Sequence, residues 1–484
     1  MPTLPFPPFE PDKSPFNVTA SDAMLNVLPA ADGWKSMPDV TVVSEALASA
    51  CVGAIYYKDS SGNVTIFAAT ETDLYTMSTA STPYTWTNVS KSAAAYSVPT
   101  GEKAALVGFG TYIFANNLGT TPQKFNVGSD SAFSDNTNMP QAKYMWTAGP
   151  YVVCGHLTTS VSSVQWSGLE DGTFWTVGER GSDIQDRPGG GEVQGGLGDQ
   201  RGAVVFFRDK IEYMQFVPDS DWTFTFAQGN PARGVVAPYS IAQIGPGRFV
   251  YLCEDGFFEG IQGRPIGGER VDAWFKSQVD TDQLPDVRAY ADPFEKIVWW
   301  RYTKADQTSE LIGWDWQLDR WCRSDQDLEE AGTLATAALS WDGLDSLYAT
   351  IDDASIPFDS RIFQGGRPTF AIFTTAHKLA FLTGSAKAAT LETATTELNP
   401  GMRSFVNGGR LIGDVPTYTA QIGHADYHGD SITWKSAVSP SSRSAHIPFR
   451  ASGRLHRARI NIAASATWNV VSAIELKAPQ EGNA

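Results

Sequence analysis

Between Gly198 and Glu259 the chain reads as strand-length apolar runs separated by turn residues, a pattern that restricts it to antiparallel β-structure. AVVFF, IEYMQFV, WTFTFA, RFVYLC and FFEGI are rich in Val, Ile, Tyr and Phe, and the gaps between them carry the Gly, Pro, Asn or Asp that reversals need. RFVYLCEDGFFEGIQG predicts a hairpin turned at Asp255-Gly256, a dipeptide suited to positive φ. Alone, the stretch fits a generic β-meander. The rest of the chain decides which kind of β-protein this is.

Similar runs recur over residues 46–370, among them NVTIFAATETDLYTMS, AALVGFGTYIFANN, KYMWTAGPYVVCGH and KIVWWRYTKADQTSELIGWDWQLDRW, with LDSLYATIDDASIPFDSRIFQ last. With Leu74, Ile113, Val153, Ile211, Phe257, Leu311 and Leu347 as second-strand anchors, the repeat averages about 45 residues, the length of a propeller blade. The expected fold is all-β, an irregular β-propeller of about six or seven blades. Two stacked sandwiches are the other arrangement that such uneven spacing allows. Thr- and Ala-rich alternating stretches over 371–476, such as TYTAQIGHADY and RLHRARINIAASATWNVVSAIEL, predict an additional C-terminal β-sandwich-like platform, with 477–484 a polar tail.

Residues 1–45 place five prolines among the first eleven residues, too many for a helix or a central strand, and are expected to form an extended N-terminal arm. Phe6, Phe9, Phe16 and Trp34 would be costly to leave in water. The arm is therefore expected to pack on the body or on a neighbouring subunit.

Charge narrows the function. With 53 acidic against 36 basic residues and a net charge of −17, the chain is a poor general binder of nucleic acid or membrane surfaces. Cys51, Cys154, Cys253 and Cys322 are too widely spaced to read as a metal site and are expected to be free, buried thiols. The first sixteen residues lack the pattern of a secretion signal, and no run approaches membrane-spanning length, so no direct membrane insertion is expected.

Catalytic signatures are weak. No Ser nucleophile elbow, H-E-x-x-H helix or Walker lysine loop occurs, and the glycine cluster at 189–202, which lacks GK[ST], reads as a mobile loop. SGLEDGTFWTVG, Ser167 to Gly178, is a degenerate relative of the Asp-box turn of glycoside-hydrolysing propellers, with Glu170 where the Asp belongs. Such boxes are structural turns. No catalytic residue and no cofactor is assigned, and the chain is not expected to be an enzyme.

Two clusters remain. HADYHGD places His424, Asp426, His428 and Asp430 at alternate positions, where one side of a strand could offer a metal two imidazoles and two carboxylates. His424 and His428 are thus weak metal candidates, and the simpler reading is a polar strand end and turn. Arg443, Arg450, Arg454, Arg457 and Arg459, with His446 and His456, form a basic patch in an acidic chain. It serves either internal pairing with the acidic propeller or an inter-subunit or DNA-facing contact.

An ordered series of stretches resembles the tail hub or nozzle proteins of short-tailed bacteriophages, also called packaged-DNA stabilisation proteins. These are NVLPAADGWKSMPDV, VQWSGLEDGTFWTVG, DKIEYMQFVP, ARGVVAPYSIAQIG, DGFFEGIQGRPIGGERVDAWF, GWDWQLDRW and ASGRLHRARINIAASATWNV, spread over most of residues 20–475. The resemblance implies a structural protein of the virion tail, assembled in the host cytoplasm as a homo-hexameric ring below the head-to-tail adaptor. It implies as further partners tail needle, fibre or tailspike proteins and the double-stranded phage DNA that leaves through the channel. That family brings no catalytic residues to carry over. The competing class is a propeller that binds or hydrolyses glycan as a phage receptor-binding protein.

Overall fold

The computed structural model describes residues 1–14, 17–79, 83–218, 222–230, 233–335 and 368–479, and among them the chain is an all-β propeller joined to a β-sandwich. Seven four-stranded antiparallel sheets form the blades. The first six open with Cys51–Lys58, Ala105–Phe109, Ala142–Ala148, Val193–Asp199, Ala242–Gly245 and Arg288–Asp292 as their first strands. Blade seven comprises Glu330–Ala335, Pro368–Phe373 and Lys378–Ala386, and its fourth strand is Pro38–Ala46 from the other end of the chain. First strands neighbour one another around the axis, and blade seven returns to blade one.

Both faces of a blade pack against neighbours, so its middle strands are apolar on both sides instead of alternating. Tyr151–Leu157 is buried at six of seven positions and Arg248–Cys253 at five of six. This explains the uneven spacing of the sequence anchors. Ile113 and Val153 lie in second strands, whereas Leu74, Ile211, Phe257 and Leu311 lie in third strands. Leu347 and the stretch around it lie outside the described residues.

Two local expectations are corrected. Much of the glycine cluster, expected as a mobile loop, is the innermost strand of blade four. Gly198 is needed there because a Cβ would collide with the Thr147 carbonyl oxygen of blade three. The hairpin of blade five turns one residue earlier than expected, at Glu254-Asp255, since Cys253 pairs with Gly256. Gly256, at φ 140°, is instead the residue against which the Asp272 carboxyl packs.

Residues 1–45, expected as an extended arm, supply strands to both domains. Thr3–Pro5 pairs with Val471–Lys477, and Met24–Leu25 pairs with Ala389–Glu392. The hairpin Val27–Ala30 and Gly33–Ser36 joins the sheet of Val471–Lys477. Pro5 is tolerated because its strand is an edge. Five strands make this sheet and six make the facing one, which is centred on Leu455–Ile462. One continuous apolar cluster fills the sandwich with Leu391, Ile460 and Ile474, then runs through Phe9 and Trp34 to Phe257, Trp300 and Trp321 of blades five and six. Phe6, Phe9 and Trp34 are buried within this chain, and Phe16 lies outside the described residues. All four cysteines are free and buried.

Candidate functional site

Alternation along Leu455–Ile462 decides the fate of the arginine patch. His456, Ala458, Ile460 and Ile462 point into the core, which sends Arg457 and Arg459 together to the other face. There they share one buried carboxylate: Arg457 Nε lies 2.8 Å from Glu392 Oε2, and Arg459 Nε lies 2.5 Å from Oε1. Arg457 also pairs with Asp22, and the Arg459 guanidinium lies 4.1 Å from the centre of the Trp434 ring. These two arginines tie the N-terminal segment and three strands of the sandwich together. Arg443, Arg450 and Arg454 are exposed, and no described acidic residue holds them in an ion pair. The expected patch thus divides into two internal arginines and three that face solvent.

The HADYHGD residues do not line one strand face, because the strand Tyr418–Ala425 ends before Asp426. Arg403 takes Asp426 at 2.6 Å, Asp430 accepts from the Tyr427 amide at 3.1 Å, and His428 lies 3.8 Å from Glu397. His424 is instead beside His456 across the strand pair. Burial pushes the His456 imidazole down to about 4, so it is neutral at pH 7. Among the described residues no group of three or more His, Cys, Asp or Glu is placed to hold a metal.

In the Asp-box-like turn, Asp171 accepts from the Thr173 amide at 3.0 Å and its hydroxyl at 2.6 Å, while Trp175 donates to the Gly172 carbonyl at 2.8 Å. Glu170 sits exposed at φ 56°. Asp171 holds the turn in shape, as in an Asx-turn.

A polar cluster on the propeller axis was missed by sequence reasoning. Glu330, at the start of blade seven, meets Lys103 Nζ at 2.7 Å and Arg288 Nη1 at 2.9 Å. Lys143 of blade three meets Glu102 at 2.9 Å. The Tyr239 hydroxyl accepts from the Lys103 amide at 3.0 Å, and the Lys103 ammonium lies over the rings of Tyr239 and Tyr290. Burial alone would raise Glu330, but the Lys103 ammonium and Arg288 guanidinium hold its carboxyl below the usual range. Burial pulls Lys103 down against the attraction of Glu330. These pairs lock blades two, three, six and seven across the axis. The signal was present as EKAAL, AKYMW, VRAYA and EEAG, a charged residue at or just before each innermost strand, and it shows only when first strands are aligned instead of second strands.

A cleft of about 430 Å³ opens between blades four and five, lined by Leu197, Tyr213, Met214 and Phe249 with Arg201 and Gln215 among its polar groups, and it shares Asp199, Arg201 and Gln243 with the space beside it on the axis. Tyr213 is 42% exposed there.

No protein-family model matches the chain, and none of the curated proteins does. Solved structures of similar shape include Hsv2 of Kluyveromyces lactis, at 10% identity over 57% of this chain and 97% of that one, with a TM-score of 0.28. The six-bladed fucose lectin of Aleuria aurantia matches at 13% identity over 58% of this chain and 96% of that one, TM-score 0.27. A puromycin-hydrolysing peptidase of Mycobacterium tuberculosis matches at 13% identity over 77% of this chain and 61% of that one, TM-score 0.36. At such TM-scores none of these likenesses carries an argument about what this chain does.

Proposed function

We propose that the chain is a structural protein of a phage virion tail, a nozzle or hub whose copies form a ring below the head-to-tail adaptor and surround the DNA exit channel. The observation that carries this reading is the weld between propeller and sandwich. Four of the seven stretches that resemble the tail-hub proteins meet there. Arg320, in GWDWQLDRW, donates to the Ala30 carbonyl of NVLPAADGWKSMPDV at 2.8 Å. Ser36, in the same N-terminal stretch, donates to the carbonyl of Trp468 in ASGRLHRARINIAASATWNV at 3.0 Å. Trp321 donates to the carbonyl of Ile266 in DGFFEGIQGRPIGGERVDAWF at 3.1 Å. A continuous apolar core between the domains makes a stiff two-part body, which suits a conduit that must withstand passage of DNA. The exposed Arg443, Arg450 and Arg454 supply a basic face on an acidic protomer, the complementarity that heterologous ring contacts use. Averaged electron micrographs of the purified protein, alone and with adaptor rings, test this reading by the presence or absence of closed rings.

One observation favours the second reading, a glycan-binding propeller of a receptor-binding protein. The cleft between blades four and five exposes an aromatic ring beside arginine and amide groups, the lining of many small-ligand sites. Glycan-array binding that is lost on Tyr213→Ala would support it.

A further inference from the structure

The axis of the propeller is a tunnel whose charge runs against that of the chain. Its mouth, about 830 Å³, meets a middle chamber of about 350 Å³ at Gln243, Ala291 and Thr333. The chamber meets an inner cavity of about 220 Å³ at Lys103, Ala104 and Ala289. Among the described residues these three spaces are lined by four cations, Lys103, Lys143, Arg201 and Lys296, and by two carboxylates, Asp199 and Glu330. A positive passage with low-dielectric walls concentrates anions even in a protein of net charge −17.

At the inner cavity the donors outnumber their partners. Each lysine ammonium has three N–H groups, and the carboxylate ion pairs here are one apiece, Lys103 to Glu330 and Lys143 to Glu102. Tyr144 is 8% exposed, lines the cavity, and its hydroxyl has no hydrogen-bond partner. Tyr290, in the middle chamber, stands near Glu330. Buried polar groups are almost always satisfied by protein, water or ligand.

We propose that this inner cavity is a binding site for a phosphate-class oxyanion, held between Lys103 and Lys143 with the Tyr144 hydroxyl as a further donor. Donors from the segment before blade two and from the first strand of blade three line this one cavity, and a ligand with several oxygens to accept from them suits an oxyanion better than a halide. Lys103, Lys143 and Tyr144 are three donor groups lining the cavity, and phosphate offers oxygens to all three where a carboxylate offers two, which favours phosphate.

The test uses the full chain, with melting temperature and phosphorus NMR followed as inorganic phosphate is added at constant ionic strength, and acetate and chloride as parallel titrants. Phosphate should raise the melting temperature saturably and broaden its own resonance, while acetate and chloride should not saturate. Tyr144→Phe should weaken phosphate binding about tenfold, as loss of one hydrogen bond to a charged group does, and Lys143→Met should abolish it. Equal responses to phosphate and chloride would overturn the proposal, as would saturation by acetate instead of phosphate. An unchanged phosphate affinity in Tyr144→Phe would also overturn it. This variant decides the matter if Lys143→Met does not fold, because the hydroxyl it removes has no protein partner.

Discussion

Phe9 meets Trp274 edge to face, with ring centroids 5.2 Å apart and planes at 90°, so the start of the chain is pinned to the helix Gly268–Gln278 that follows blade five. Nearby, Asp12 accepts from the amides of Ala273 and Trp274 at 2.7 and 2.6 Å. The N-terminal segment is therefore part of the fold's core. Removing residues 1–36 should unfold the sandwich, since three pairings with its retained strands are lost with them. Limited proteolysis should then release fragments from 389–479. The single change Trp34→Ala should cost about 3–5 kcal/mol in denaturant unfolding, because that indole is 1% exposed and donates to the Phe6 carbonyl at 3.1 Å. A deletion that left the sandwich protease-resistant would show the segment to be an appendage.

The arginine patch predicts two kinds of behaviour. Glu392→Ala leaves the Arg457 and Arg459 guanidiniums without their shared buried carboxylate and should lower stability by about 3 kcal/mol. The triple change Arg443→Ala, Arg450→Ala and Arg454→Ala should leave the melting temperature unchanged and impair ring assembly on adaptor templates. Loss of a tight, steeply salt-dependent DNA affinity with assembly intact would instead assign the patch to phosphates.

Much of this was legible from sequence, for definite physical reasons. Turn residues such as Asp255 mark reversals locally, and the alternation of Ala458, Ile460 and Ile462 with polar residues marks a half-buried strand. Phe6, Phe9 and Trp34 required an apolar partner, but nothing local says whether that partner is the same chain. The pairing of Pro38–Ala46 with Lys378–Ala386 closes blade seven across the length of the chain, and such non-local pairing leaves no mark on spacing. Second and third strands were confused at Leu74 and Phe257 because burial on both faces erases alternation. The axial pairs escaped because Lys103, Lys143, Arg288 and Glu330 come from four blades.

Buried carboxyls contribute to the pH dependence, Glu330 and Asp272 among them. Glu330 is held below its ordinary range, so its contribution is present above the unfolded value and is lost as pH falls through the folded one. Asp272 is pushed up to about 6 by burial, so the folded state binds its proton more tightly, and stability falls as pH rises from its ordinary value of 3.8 through 6. His456, pushed down to about 4, opposes this by losing stability as pH falls from 6.5. The clean measurement is the melting-temperature difference between Asp272→Asn and the unaltered protein. It should shift in favour of the variant from pH 4 to 7, and a difference independent of pH would contradict the assignment.

Gly198→Ala tests the closeness of blades three and four. The added methyl would meet the Thr147 carbonyl, and overpacking of this kind costs about 1–3 kcal/mol. Gly245→Ala, where a Cβ meets nothing, is the control and should be close to neutral.

The central claim is that welded propeller–sandwich protomers assemble into a ring around a DNA exit channel. Averaged electron micrographs of the protein with adaptor rings test it most directly. The account predicts closed rings with propellers at the periphery, lost in the Arg443, Arg450 and Arg454 triple variant while its melting temperature is retained. Isolated protomers in the presence of adaptor, together with glycan binding abolished by Tyr213→Ala, would contradict it.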